Sequence, residues 1–161
     1  MMVADSGPII AFAQIGLVHL LQRVVEELVV PDAVYREIVV LGEGRPGAAE
    51  VAQSAWITRR TVGNPAALAT LPLALRAGQG EAILLAQELG LPLLIDEERG
   101  RREATRRGID VGGSLGVLRE AKQRGLIDLV RPPVEAMISS GYRFGPTLVF
   151  SFIQEMGEAD T

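Results

Sequence analysis

The residues of this chain best able to do chemistry are acids placed where apolar elements end. Asp5 follows the apolar Met2–Ala4, and Asp96 with Glu97 follows the apolar run at residues 91–95. Leu93, Leu94 and Ile95 show no polar alternation, which reads as a strand covered on both faces. In an open α/β sheet, ligands bind at the carboxyl ends of strands. Glu37 falls at the margin of the arc that Val34, Ile38 and Leu41 define on a helix. A carboxylate there is costly unless it is paired, hydrated or bound to a cation. Glu81 opens a further helix, where the dipole favours an acid whatever its role. Each acid has a structural alternative: Asp96 as the cap of the next helix, Glu37 as the partner of an arginine, Glu81 as a cap. Taken together, clustered carboxylates repel, and near neutral pH they take up protons or bind a cation. With no cysteine and a single histidine, an all-oxygen site suits Mg²⁺ or Mn²⁺ better than Zn²⁺.

The elements that must position these acids follow from punctuation and periodicity. A strand at residues 2–5 leads into a helix opened by Ser6, Gly7 and Pro8, with helix over residues 9–25 broken at Gly16. Residues 28–30 form the next strand, stopped by Pro31, and Asp32 caps a helix at 33–41. The loop at 42–47 precedes a short helix at 48–54 and an extended piece at 56–61. Residues 63–66 are turn-like, and 68–75 fit either state. A helix at 79–89 ends at Gly90; the central strand, a charged helix and a strand at 109–111 follow. Asp110 next to Gly112, Gly113 and Ser114 reads as structural or as a further acid of the site. Ser114 opens a helix to residue 124, residues 126–130 are extended, and a final helical pair occupies about 132–157. Strands alternating with helices give an α/β class: one three-layer domain over residues 1–161, with a central, mainly parallel sheet flanked by helices.

At 161 residues, 48% of them hydrophobic, the chain can bury a sizeable core. No apolar run reaches the ~20 residues of a membrane span, and residues 1–10 lack the basic lead of a secretory signal. A cytoplasmic protein is the expectation. A net charge of −4 opposes a nonspecific nucleic-acid coat but permits a local basic face. Residues 97–107 hold five arginines and three glutamates, and Arg99, Arg102 and Arg106 share one helical face. That face can grip phosphates, or it is a solvated helix laced with Glu–Arg pairs. His19 lies in an apolar helix with no partner motif, and neither GxGxxG nor GxxxxGK[ST] occurs.

The segments ADSGPII, VVPDAVYREI, GQGEAILLAQELGLPLLIDEERGRREATRRGI and GGSLGVLREAKQRGLI, in that order, resemble the PIN-domain nucleases, most closely the short stand-alone prokaryotic branch related to VapC-type toxins. The resemblance covers nearly the whole chain. It implies a metal-dependent endoribonuclease with Asp5, Glu37, Glu81 and Asp96 as the acids of the site and Glu97 beside the last of them. Mg²⁺ or Mn²⁺ is the implied cofactor. Ser6 matches the small hydroxyl residue that follows the first acid. Many relatives carry aspartate where this chain has Glu81, one methylene longer. Implied substrate contacts are Ser6, Arg99, Arg102, Arg106 and Ser114, with RNA as substrate and a small antitoxin as a possible partner that blocks the pocket.

A second reading keeps the fold and drops the catalysis. Leu148, Val149, Phe150, Phe152 and Ile153 supply an apolar surface that closes the core or forms a homodimer face. The chain is then a dimeric interaction module whose acids are caps and ion-pair partners. Cation binding lost on Asp96→Asn separates the two readings.

Overall fold

The computed structural model describes residues 1–76 and 78–160. Five short strands, β1 (Met2–Ala4), β2 (Leu28–Pro31), β3 (Ile57–Arg60), β4 (Leu93–Leu94) and β5 (Val111–Gly112), form one sheet in the order β3-β2-β1-β4-β5. Every neighbouring pair is parallel, with Val3 opposite both Val29 and Leu93. All strands therefore end at the same edge. The chain winds outward from β1 to β3, then returns to lay β4 on the other side of β1. That reversal opens a crevice between the carboxyl ends of β1 and β4.

Strand alternation sorts the apolar residues into two cores. Ala4, Leu28, Val30 and Leu94 face one layer, where Phe12 of α1 (Ser6–Gln14), Leu21 of α2 (Val18–Val25) and Leu118 of α8 (Ser114–Gln123) pack. Val3, Val29, Leu93 and Ile95 face the other, against Ile83 and Leu85 of α6 (Gly80–Leu89) and Ala104 of α7 (Glu98–Arg106). This is why the central strands read as unbroken apolar runs: both faces are covered. The final pair, α9 (Arg131–Ser139) and α10 (Pro146–Glu155), adds Val134, Met137 and Phe152 to the first core.

Three local expectations are corrected. Residues 126–130 join no strand; they lead into α9, held by a hydrogen bond from Val130 N–H to Glu158 at 2.9 Å. The helix at 33–41 is α3 (Asp32–Tyr35) continued by a π-helical turn, Arg36–Val40. Asp32 does not cap it, because its carboxylate is drawn across to Arg59 at 2.7 Å. The open stretch at 68–75 divides between a 3-10 turn (Pro65–Thr70) and α5 (Leu73–Arg76), while α4 (Ala48–Gln53) falls where expected. No helix among the described residues is long and apolar enough to cross a membrane.

Candidate active site

Asp5 leaves β1 at the crevice, its N–H donating to the Leu94 carbonyl at 2.9 Å. The side chain is buried, 7% exposed. Burial lifts its pKa to about 6; a backbone hydrogen bond at Ser6 opposes the rise, and repulsion from Glu37, Asp96 and Glu97 adds to it. Three acids from two further stretches of chain thus act on Asp5 across the carboxyl edge. Ser6 is buried at the start of α1.

Asp96 follows β4 and does not cap α7. Glu97 takes that role, accepting from Gly100 N–H at 2.8 Å. Asp96 instead reaches the N-terminus of α8, where Oδ1 accepts from Ser114 N–H at 2.7 Å and Oδ2 from the Ser114 hydroxyl at 2.5 Å. A β-carbon at Gly113 would lie 2.6 Å from Oδ1, so glycine is what lets the carboxylate approach that helix end. The Tyr142 hydroxyl also donates to Oδ2. Burial and the Asp96 charge hold the Tyr142 phenol protonated, well above its ordinary pKa. Arg101 anchors the same corner by donating to the Ile95 carbonyl at 2.6 Å.

The remaining expected residues are placed less uniformly. Glu37 is exposed on the π-helical turn and lines a cavity of about 260 Å³ with Gln14 and Arg45. Glu81, in the first turn of α6, accepts from Ala33 N–H at 3.3 Å and so serves the start of α3. Asp110 is exposed at the amino end of β5, opposite the crevice. On α7, Arg102 pairs with Glu98 and Arg106 with the buried Glu103, while Arg99 is exposed and in no ion pair among the described residues. Ser114 is fully buried, and both its donors go to Asp96. Tyr142 and Arg101 stand at this candidate site without being singled out by the sequence alone.

A divalent cation is the group this donor set suits. The donors are all oxygens, and Asp5 is a buried carboxylate whose ionised form its surroundings disfavour. As the side chains stand, no three acids among the described residues converge as a ready cage. Mg²⁺ needs no such cage, since it keeps several waters and uses one or two carboxylates. The pair from β1 and β4 meets that requirement.

Five parallel strands between two helical layers, with carboxylates gathered at the switch point of the sheet, define the class of protein. The chain belongs to the PIN-domain family: the family model described as DUF3368: PIN domain matches residues 1–158. PIN domains are generally nucleases that act on nucleic acid with divalent metal ions. The chain is also similar to a solved structure, a PilT N-terminus domain protein, SSO1118, from the hyperthermophilic archaeon Sulfolobus solfataricus P2. Identity is 16%, covering 90% of this chain and 98% of that one, with a TM-score of 0.48. No curated protein matches the chain significantly.

Proposed function

We propose that this protein is a Mg²⁺- or Mn²⁺-dependent endoribonuclease whose metal is held by Asp5 and Asp96. Glu37 and Glu97 act on the same position, and Glu81 supports it from the start of α6. The observation that carries the reading is Asp5 itself: a buried carboxylate at the end of the central strand, raised to about 6 and faced by three further acids. When bound, the cation would neutralise charge on the scissile phosphate and acidify water. The chain's own part is to orient and exclude. Ser114 and Tyr142 fix the Asp96 carboxylate, and the apolar walls below, Ala4 and Leu94, keep bulk water from the floor of the crevice. Asp5, raised to about 6 by its burial, would give up its proton as a cation loads, so that loading is favoured as pH rises through that value. Arg99 and Arg102, exposed on α7, offer charge to the RNA backbone.

Cleavage of mixed structured and single-stranded RNA with Mn²⁺, Mg²⁺ or EDTA tests this, with wild type beside Asp5→Asn and Asp96→Asn purified identically. Metal-dependent cutting lost in both variants is expected. Cutting that persists in either variant, or none by wild type, defeats the reading. Its extension to a toxin rests on the family resemblance: a small antitoxin would cover the acidic crevice in a cytoplasmic pair. Co-expression that restores growth to cells producing the nuclease would support that step.

The alternative, a non-catalytic dimeric module, draws on the apolar face of the final helical pair. Between α9 and α10 runs a cavity of about 960 Å³ lined by Val134, Ile138, Phe144, Val149, Phe150 and Ile153 among others, with Ile138, Leu148 and Phe150 exposed. A homodimer through this face is compatible with either function. Light scattering should then give twice the chain mass for wild type and a monomer for Phe150→Asp; dimerisation without any cation response would favour the module.

A further inference from the structure

Tyr142 belongs to no acidic motif and lies 46 positions from Asp96, yet four features bring its hydroxyl to that carboxylate. Gly141, at φ +96°, turns the chain at the end of α9. Tyr142 N–H then donates to the carbonyl of the buried Met137 at 3.0 Å, tying the turn to the core. The ring stands edge-on to Phe144, centroids 5.0 Å apart. Gly7, at the start of α1, leaves the space that the hydroxyl fills.

An ionised carboxylate offers about four acceptor positions. On Asp96, Ser114 N–H takes one at Oδ1, and the Ser114 and Tyr142 hydroxyls take both at Oδ2. One direction remains, on Oδ1. We infer that Tyr142 is a positioning residue for Asp96, closing Oδ2 so that the carboxylate presents a single fixed oxygen to the cation. The inference rests on the metal-dependent reading above. Without the phenol, Asp96 keeps its hold on Ser114 but regains a free acceptor at Oδ2, and its plane can rock about that hold. Ligand carboxylates are generally held by such outer hydrogen bonds, whose loss weakens metal binding. The ring and the hydroxyl have separable duties: the ring packs, the hydroxyl aims.

Mn²⁺ binding, followed by the loss of the free-ion resonance signal, separates them in wild type, Tyr142→Phe, Tyr142→Ala and Ser114→Ala. Phenylalanine preserves the packing on Phe144 and removes only the donor. Tyr142→Phe should weaken Mn²⁺ binding by about tenfold, with an unchanged far-ultraviolet circular dichroism spectrum. Ser114→Ala should weaken it as well, and the two together should be non-additive because they hold the same oxygen. Binding unchanged in Tyr142→Phe but reduced in Tyr142→Ala would make the tyrosine a packing residue and overturn the inference, leaving the nuclease reading intact. Tighter binding in Tyr142→Phe would also overturn it, since the hydroxyl would then compete with the cation. No binding by wild type at millimolar Mn²⁺ would remove both.

Discussion

Asp5 and Glu103 are almost equally buried, at 7% and 8% exposed, and their surroundings treat them in opposite ways. Glu103, on α7, accepts from Arg106 at 2.5 and 3.0 Å and from Arg107 at 2.9 Å, and its pKa falls to about 2. Asp5 is raised to about 6, first by its burial and then by the charges of Glu37, Asp96 and Glu97. Burial alone therefore does not mark a functional acid. The fold gives Glu103 its cations, whereas it surrounds Asp5 with further acids. The arginines of α7 divide along the same line, since Arg106 and Arg107 serve Glu103 while Arg99 remains outward.

Substituting each acid in turn is the strongest way to break this contrast. Asp5→Asn should reduce RNA cleavage by roughly a hundredfold or more while raising stability at pH 7 by on the order of 1–3 kcal/mol. Urea unfolding beside the cleavage assay reads both. Loss of activity with loss of stability would place Asp5 with the structural acids. Glu103→Gln should do the reverse, lowering the melting temperature by several degrees with cleavage per folded molecule retained.

The pH dependence sharpens the comparison. A raised folded-state pKa means that the Asp5 contribution is fully present below its ordinary value of 3.8 and is lost as pH climbs through about 6. The stability gained by Asp5→Asn should accordingly grow between those two values and level off above them. Glu103 behaves oppositely: its contribution is present above 4.5 and disappears as pH falls through about 2. Urea midpoints of wild type and both variants from acid to neutral pH decide it. The smallest effect belongs to the outward arginines. Arg99→Ala with Arg102→Ala should weaken RNA binding severalfold and make its salt dependence shallower by about 1 in log–log slope. A salt titration of binding that leaves the slope unchanged would return α7 to a purely structural role.

Much of the fold was legible because its strands and helices obey local rules. Gly16 breaks the first helical stretch, Gly90 ends α6 at φ +64°, and the run at 93–95 is apolar because both sheet faces are covered. Where reading failed, distant partners had overridden local preference. Asp32 has the chemistry of a cap, but Arg59 takes its carboxylate, and Glu81 from α6 supplies the start of α3. Residues 126–130 look extended but find no neighbouring strand to pair with. In the candidate site, Asp5 and Asp96 announce themselves as acids at strand ends. The grip on Asp96 is silent in sequence, because Ser114 and Tyr142 reach it from 18 and 46 positions away.

Gly7 gives that grip a steric handle that belongs to neither partner. A β-carbon there would stand 3.0 Å from the Tyr142 hydroxyl and 3.8 Å from the nearest ring carbons. A single methyl at position 7 thus leans on the phenol oxygen and hardly on the ring, displacing it by a few tenths of an ångström. The hold on Asp96 at the carboxyl edge can be loosened in this way by volume alone, with every ionisable and hydrogen-bonding group around it still in place.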